Sequence, residues 1–204
     1  MRRRIISAGG DPDKVRVIAV TKGFGNEAVA AAHAAGLNDF GENYASGLLE
    51  KAPGPPGARW HFLGAVQRNK VGSLAPLVDV WQSVARLAEG ERIARFAPGA
   101  HILLQVDYTG QPGRNGCQPH EVPTLAGALA GLDLSVEGLM TVALPDPPAA
   151  AAAFASLGRL ADTLGLPERS MGMSDDLEAA VAAGATMVRV GRALFGERSP
   201  AATG

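Results

Sequence analysis

Lys22 stands directly after the apolar run Val15–Thr21, with glycines at positions 23 and 25. An ammonium group at the carboxyl end of a buried strand loses hydration. Desolvation favours the free amine, and a free amine condenses with an aldehyde to a Schiff base. The plainer alternative is a strand-end lysine that snorkels into solvent. A second chemistry competes at the same place. Gly23-Phe24-Gly25-Asn26-Glu27-Ala28 has the G-x-G-x-x-A spacing of a dinucleotide-binding turn, and Glu42 lies where an acid would meet a ribose hydroxyl.

Two loops near the end of the chain suit an anion. Ser170-Met171-Gly172-Met173-Ser174 offers a hydroxyl at Ser170, a glycine for close backbone approach, and Ser174 as a helix N-cap. Gly191 and Arg192 open a final short helix through Phe195, whose unpaired N–H groups would face an anion. Ordinary helix capping also explains each loop. Asp175 and Asp176 fit that alternative, because acids in a first turn complement the helix dipole. Arg189 lies inside the apolar strand Met187–Gly191. If it points inward it needs a partner, either a pyridine nitrogen or a carboxylate on another strand. A guanidinium donating to a pyridine nitrogen would keep that nitrogen unprotonated and weaken the ring as an electron sink.

These residues need elements to hold them. Strand patterns recur at Val15–Thr21, Asp39–Tyr44, Trp60–Gly64, Val78–Val84, His101–Tyr108, Val136–Val142, Arg169–Gly172 and Met187–Gly191. Helical patterns alternate with them: Asn26–Ala35 with Asn26 as N-cap, Ala45–Lys51, Asn69–Leu74, Ala85–Phe96, Pro119–Leu129, a long helix ending at Leu164, and Asp175–Ala183. Repeated β–α units imply parallel strands, in an open doubly wound sheet or a closed barrel. About eight units without a composition break predict the (β/α)8 barrel as a single domain over residues 1–204. In either architecture Lys22 and both anion loops fall at the carboxyl ends of the strands, where ligands bind.

Composition narrows the class. The formal net charge is −1, which predicts neither nucleic acid nor an anionic membrane as a partner. The start is too short in apolar residues for a secretory signal or a spanning helix. Cys117 is the only cysteine, so no intrachain disulfide forms, and a cytoplasmic protein is the default. A redox role for Cys117 is the lesser reading. His33, His101 and His120 share no metal-ligand spacing.

Taken together, the chain resembles the YggS/PROSC family of pyridoxal-phosphate homeostasis proteins, which share the fold of the alanine racemase N-terminal domain. The matching stretches are Ala19–Gly23 (AVTKG), Phe40–Tyr44 (FGENY), Trp60–Lys70, Gly138–Val142, Ser170–Gly191 and Ala193–Gly196, in family order along nearly the whole chain. The resemblance implies a fold-type-III barrel with pyridoxal 5′-phosphate (PLP) on Lys22. It further implies phosphate contacts from Ser170 and the Gly191–Arg192 backbone, Arg189 at the pyridine nitrogen, and Asn43 and His61 as pocket walls. For His61, a core histidine satisfied by a hydrogen bond is an equal reading. The chain departs from the family in three places. Only about fourteen residues precede Val15, so either the N-terminal helix is shortened or the given start is late. Arg192 stands where many relatives have Thr, and the Gly110–Cys117 segment is divergent.

The function the resemblance implies is holding or delivering PLP, with PLP-dependent apoenzymes as partners, little or no turnover, and a lean towards a monomer. Racemases of this fold use a second base from an additional β domain and a partner subunit. This chain ends soon after the last barrel helix and has only Tyr44 and Tyr108. A PLP-dependent amino-acid racemase is the alternative. A nicotinamide-binding oxidoreductase falls behind, because it leaves the anion loops and Arg189 unexplained.

Overall fold

The structure, a computed structural model, describes residues 1–197; residues 198–204 of the expected domain lie outside it. A short helix α1 (Arg2–Ser7) leads into eight β–α units. These are β1 (Arg16–Val20), α2 (Asn26–Ala34), β2 (Asp39–Glu42), α3 (Ala45–Lys51), β3 (Arg59–Phe62), α4 (Val71–Leu74), β4 (Val80–Val84) and α5 (Leu87–Phe96). The second half comprises β5 (His101–Gln105), α6 (Val122–Ala130) after a 3-10 turn, β6 (Ser135–Met140), α7 (Pro147–Leu164), β7 (Glu168–Ser170), α8 (Leu177–Ala182), β8 (Met187–Val190) and α9 (Arg192–Phe195). All eight strands are parallel and close in sequence order, with β8 pairing back onto β1 through Arg16–Met187 to Ala19–Val190. The closed barrel is therefore the architecture, and the open doubly wound sheet is not.

Alternation along each strand sorts the core into two shells. Ile18, Val80, Leu103, Met140 and Met187 form one cluster that fills the barrel interior. Their neighbours Ala19, Trp81, Ile102, Leu139 and Val188 belong to the larger cluster between barrel and helices, together with Phe40, Trp60 and Phe154. Strands buried on both faces explain why the sequence shows continuous apolar runs rather than alternation.

Most strands end short of their apolar runs. Thr21, Asn43, Leu63 and Val142 lie just past the ladders, where the chain turns outward at the barrel mouth. Asn26 is the first helical residue of α2 rather than its cap; Gly25 is the N-cap, and its N–H is taken by Glu27 Oε1 at 2.9 Å. On α7, Asp146 caps the start by accepting from Ala149 N, and Gly165 ends the helix in the left-handed region at φ 67°. The six-residue helix α1 holds its place through Arg4. Its guanidinium pairs with both oxygens of Glu178 (2.5 and 2.7 Å) and donates to the Ser174 carbonyl at 2.9 Å.

Phe154 is fully buried where α7 packs on the barrel. Phe154→Ala is expected to lower the unfolding free energy by about 3–5 kcal/mol, read from the urea midpoint.

Candidate functional site

A cavity of about 550 Å³ opens at the carboxyl end of the barrel. The end of β1 and its loop contribute Val20, Lys22 and Phe24; Asn43, Leu63 and Val142 come from the ends of β2, β3 and β6. Met173, Ser174 and Asp175 from the β7–α8 loop, Arg189 from β8, and Gly191 and Arg192 at the start of α9 complete most of the wall. Lys22 is half-buried. The turn after it is tight: Phe24 N donates to Thr21 O at 3.0 Å, and Gly23 sits at φ 77°, which favours glycine. Phe24 closes this side by packing on Phe195 of α9, with ring centroids 5.3 Å apart.

Glu42 does not face this cavity. Its carboxylate is buried against Lys51 Nζ at 2.5 Å and Thr21 Oγ1 at 3.0 Å, and it also accepts from Asn43 N at 3.2 Å. An acid so engaged cannot receive a ribose hydroxyl. With the closed barrel, this removes the dinucleotide reading of Gly23–Ala28.

Arg189 points into the barrel and is buried. Its Nη1 donates to Ser170 Oγ at 2.8 Å and its Nη2 to the Thr141 carbonyl at 2.7 Å, so among the described residues its hydrogen-bond partners are neutral rather than a carboxylate. Burial pushes its pKa down to about 10, which still leaves it cationic at neutral pH. From there a polar chain crosses the interior. Ser170 Oγ donates to Gln82 Oε1 at 2.6 Å, and Gln82 Nε2 donates to His61 Nδ1 at 2.8 Å. His61, then protonated at Nε2, donates to Asp39 Oδ1 at 2.9 Å. Every proton points the same way, from the guanidinium near the mouth to a carboxylate on β2. Burial drives the His61 pKa below its ordinary value, against the opposing pull of Asp39, so the ring is neutral. Burial would raise Asp39, but the hydrogen bond and charge of His61, with Arg16 and Arg59 nearby, hold it below the usual carboxylate range.

The β7–α8 loop is folded by its own acids. Asp176 Oδ1 accepts from Met173 N at 2.5 Å, so α8 begins at Leu177 and Ser174 is not its cap. Ser174 instead lines the cavity and accepts from Ala193 N of α9 at 3.1 Å. Arg192 clasps the same two elements: its guanidinium bonds Asp175, and its Nε lies 3.8 Å from Glu197.

Five of the seven expected residues thus meet at the cavity: Lys22, Asn43, Arg189, Gly191 and Arg192. The structure does not bring His61 or Ser170 to the wall. Both are fully buried, one layer deeper, inside the polar chain. Sequence reasoning missed Ser174 as a wall residue, and missed Gln82. A glutamine in the middle of the apolar strand VWQSV was the available signal. Neither tyrosine lines the cavity; Tyr44 is 65% exposed, and burial pushes Tyr108 up to about 12. Among the described residues no group of His, Cys, Asp and Glu could hold a metal ion, and no helix is long and apolar enough to cross a membrane. Cys117 is buried, and burial raises its thiol to about 11, which argues against a redox role.

A parallel eight-stranded barrel with a lysine after its first strand places the chain in the class of the alanine racemase N-terminal domain, whose family model matches residues 3–199. The alanine racemase of Corynebacterium glutamicum shares the fold, with a TM-score of 0.73 at 19% identity, covering 99% of this chain and 61% of the racemase. Nearer relatives narrow the class. A pyridoxal phosphate homeostasis protein of Pseudomonas aeruginosa is 43% identical, covering 97% of this chain and 91% of the relative; its Deinococcus radiodurans counterpart is 39% identical over 96% and 95%. PipY of Synechococcus elongatus, solved with PLP bound, superposes with a TM-score of 0.81 at 32% identity, covering 95% of this chain and 99% of PipY. The chain belongs to the pyridoxal phosphate homeostasis (YggS/PROSC) family.

Two predictions follow from the buried groups. Burial holds His61 below the ordinary histidine value, so the unfolded chain takes up a proton before the native one does. Stability is expected to be full above about pH 7 and to fall as the pH drops below about 6.5, with a further loss below about pH 4 as Asp39 protonates. Urea titrations at pH 7.5 and 5.5 check this, and His61→Gln should flatten the upper step. Cys117, raised from 9.0 to about 11, should react at pH 8 with a thiol reagent about a hundredfold slower in the native protein than in urea.

Proposed function

We propose that this protein binds PLP in the barrel-mouth cavity, holds it covalently through Lys22, and carries it in the cytoplasm with little or no turnover. The observation that carries the reading is the convergence of Lys22, Arg189 and the Gly191–Arg192 backbone on one cavity of about 550 Å³. When bound, PLP supplies an aldehyde for an amine, a ring nitrogen that accepts a hydrogen bond, and a phosphate dianion. The residues present fit those three parts. Asn43, in the wall, has its Oδ1 buried with no hydrogen-bond partner, an acceptor suited to a ligand hydroxyl.

In this reading Lys22 provides the amine. Arg189 donates to the ring nitrogen and, being held by Ser170 and Thr141, keeps its proton. Ser174 and the Gly191–Arg192 backbone face the phosphate. Ser170 acts from behind Arg189 rather than on the phosphate, and His61 acts from behind Gln82. Two-sided proton transfer at an α-carbon needs a second base on the opposite face of the ring. With neither tyrosine at the wall, the described residues support holding rather than racemisation. The single barrel domain would act as a monomer, and acceptor apoenzymes would be its partners.

Protein incubated with PLP, treated with borohydride and digested should yield one PLP-sized adduct, on the Lys22 peptide. Lys22→Ala should lose it. Absence of any adduct in the parent overturns the assignment. Lys22-dependent racemisation of single amino-acid enantiomers at enzymic rates would overturn the holding role.

A further inference from the structure

We propose that Lys51 and Glu42 are positioning residues for the cavity: a buried ion pair that holds the backbone of Lys22 and of Asn43 at once. This rests on reading Lys22 as the PLP-bearing amine. Lys51 is the last residue of α3 and Glu42 the last of β2; their side chains are 3% and 1% exposed. Neither lines the cavity, and neither reaches solvent.

The bonds run to both walls. Lys51 Nζ donates to Glu42 Oε1 at 2.5 Å and to the Thr21 carbonyl at 3.0 Å. That carbonyl belongs to the peptide that ends in Lys22 N, and it also accepts from Phe24 N in the turn that presents Lys22. Thr21 Oγ1 donates to Glu42 Oε1 at 3.0 Å, tying the same residue a second time. On the other side Glu42 Oε2 accepts from Asn43 N at 3.2 Å. One charge pair thereby sets the plane of the Lys22 peptide and the position of the Asn43 backbone.

Local packing is built around the pair. A Cβ at Gly47 of α3 would lie 3.1 Å from Glu42 Oε2, so the helix can pass this close because residue 47 has no side chain. Stability alone does not account for the charges. Two ions taken out of water lose most of their Coulomb gain to desolvation, and an apolar pair of like volume serves as well or better. What an apolar pair cannot do is donate to Thr21 O or accept from Asn43 N. Glu42 lies within the family stretch FGENY, and the cofactor contacts proposed above give it no role.

The test uses Lys51→Met, Glu42→Gln and Gly47→Ala, each titrated with PLP and followed by visible absorbance across pH. Losing one charged hydrogen bond to the Lys22 turn should weaken PLP binding about tenfold in Lys51→Met. The pH midpoint of the bound chromophore should shift in Lys51→Met and Glu42→Gln, a change that loss of global stability does not produce. Gly47→Ala touches no wall residue and substitutes a better helix former, so it tests the pair even if the charge variants fail to fold. By crowding the carboxylate it should shift the same midpoint in the same direction by a smaller amount. Parental affinity and parental pH midpoint in the folded variants overturn the proposal. A parent that takes no borohydride-trapped label at Lys22 overturns the cofactor reading instead.

Discussion

The constraint on which the interior depends is the buried guanidinium of Arg189. A cation taken out of water is costly unless acceptors meet its protons and an acid lies near enough to offset its charge, as Asp176 does here. Here Ser170 and Thr141 take two of its protons, and Gln82 and His61 carry the polarity across the barrel to Asp39. The direction of each bond follows from the one before. Because Arg189 can only donate, Ser170 must accept and pass its own proton on; Gln82 must then turn its carbonyl to Ser170 and its amide to His61; and His61 must keep its proton at Nε2. A single fixed charge on β8 thus specifies an amide orientation on β4 and a histidine tautomer on β3.

This chain divides the barrel interior by chemistry. Ile18, Val80, Leu103, Met140 and Met187 close-pack around it and keep water from competing for its bonds. Nearer the mouth the walls become mixed: apolar Val20, Leu63 and Val142 stand beside Lys22, Asn43 and Ser174. The outer shell works by the same logic. Arg4, Asp176 and Arg192 use surface charges to fasten the β7–α8 loop to α1, α8 and α9, so that Ser174 is carried by a braced loop. Supports of this kind hold the cavity's wall residues in place from the layer behind them.

Much of the site was legible in the chain. Lys22, Gly191 and Arg189 stand at strand ends or inside apolar strands, and strand ends in a parallel barrel all face one mouth. The depth of a side chain along a strand was less legible. Ser170 and His61 look equivalent to wall residues in one dimension, yet each sits one layer down, because strands end earlier than their apolar runs. Glu42 was misread for another reason. Spacing from a glycine-rich turn suggested a ligand contact, whereas the helix after its own strand supplies a lysine that claims it.

By itself the sequence determined the alternation of eight strands with helices and the placement of Lys22 just past the first strand, at the carboxyl mouth of the barrel. Apolar periodicity, caps and strand ends are local, and local patterns are written in consecutive residues. Only the tertiary structure decided the partners of the buried charges. Ser170 and Gln82 are 88 positions apart and meet at 2.6 Å; Arg189 and Thr141 are 48 apart and meet at 2.7 Å. Such pairs exist only once β8 has closed onto β1 and every strand register is set. The physical reason is that barrel closure, not proximity along the chain, chooses which polar groups share the dry interior.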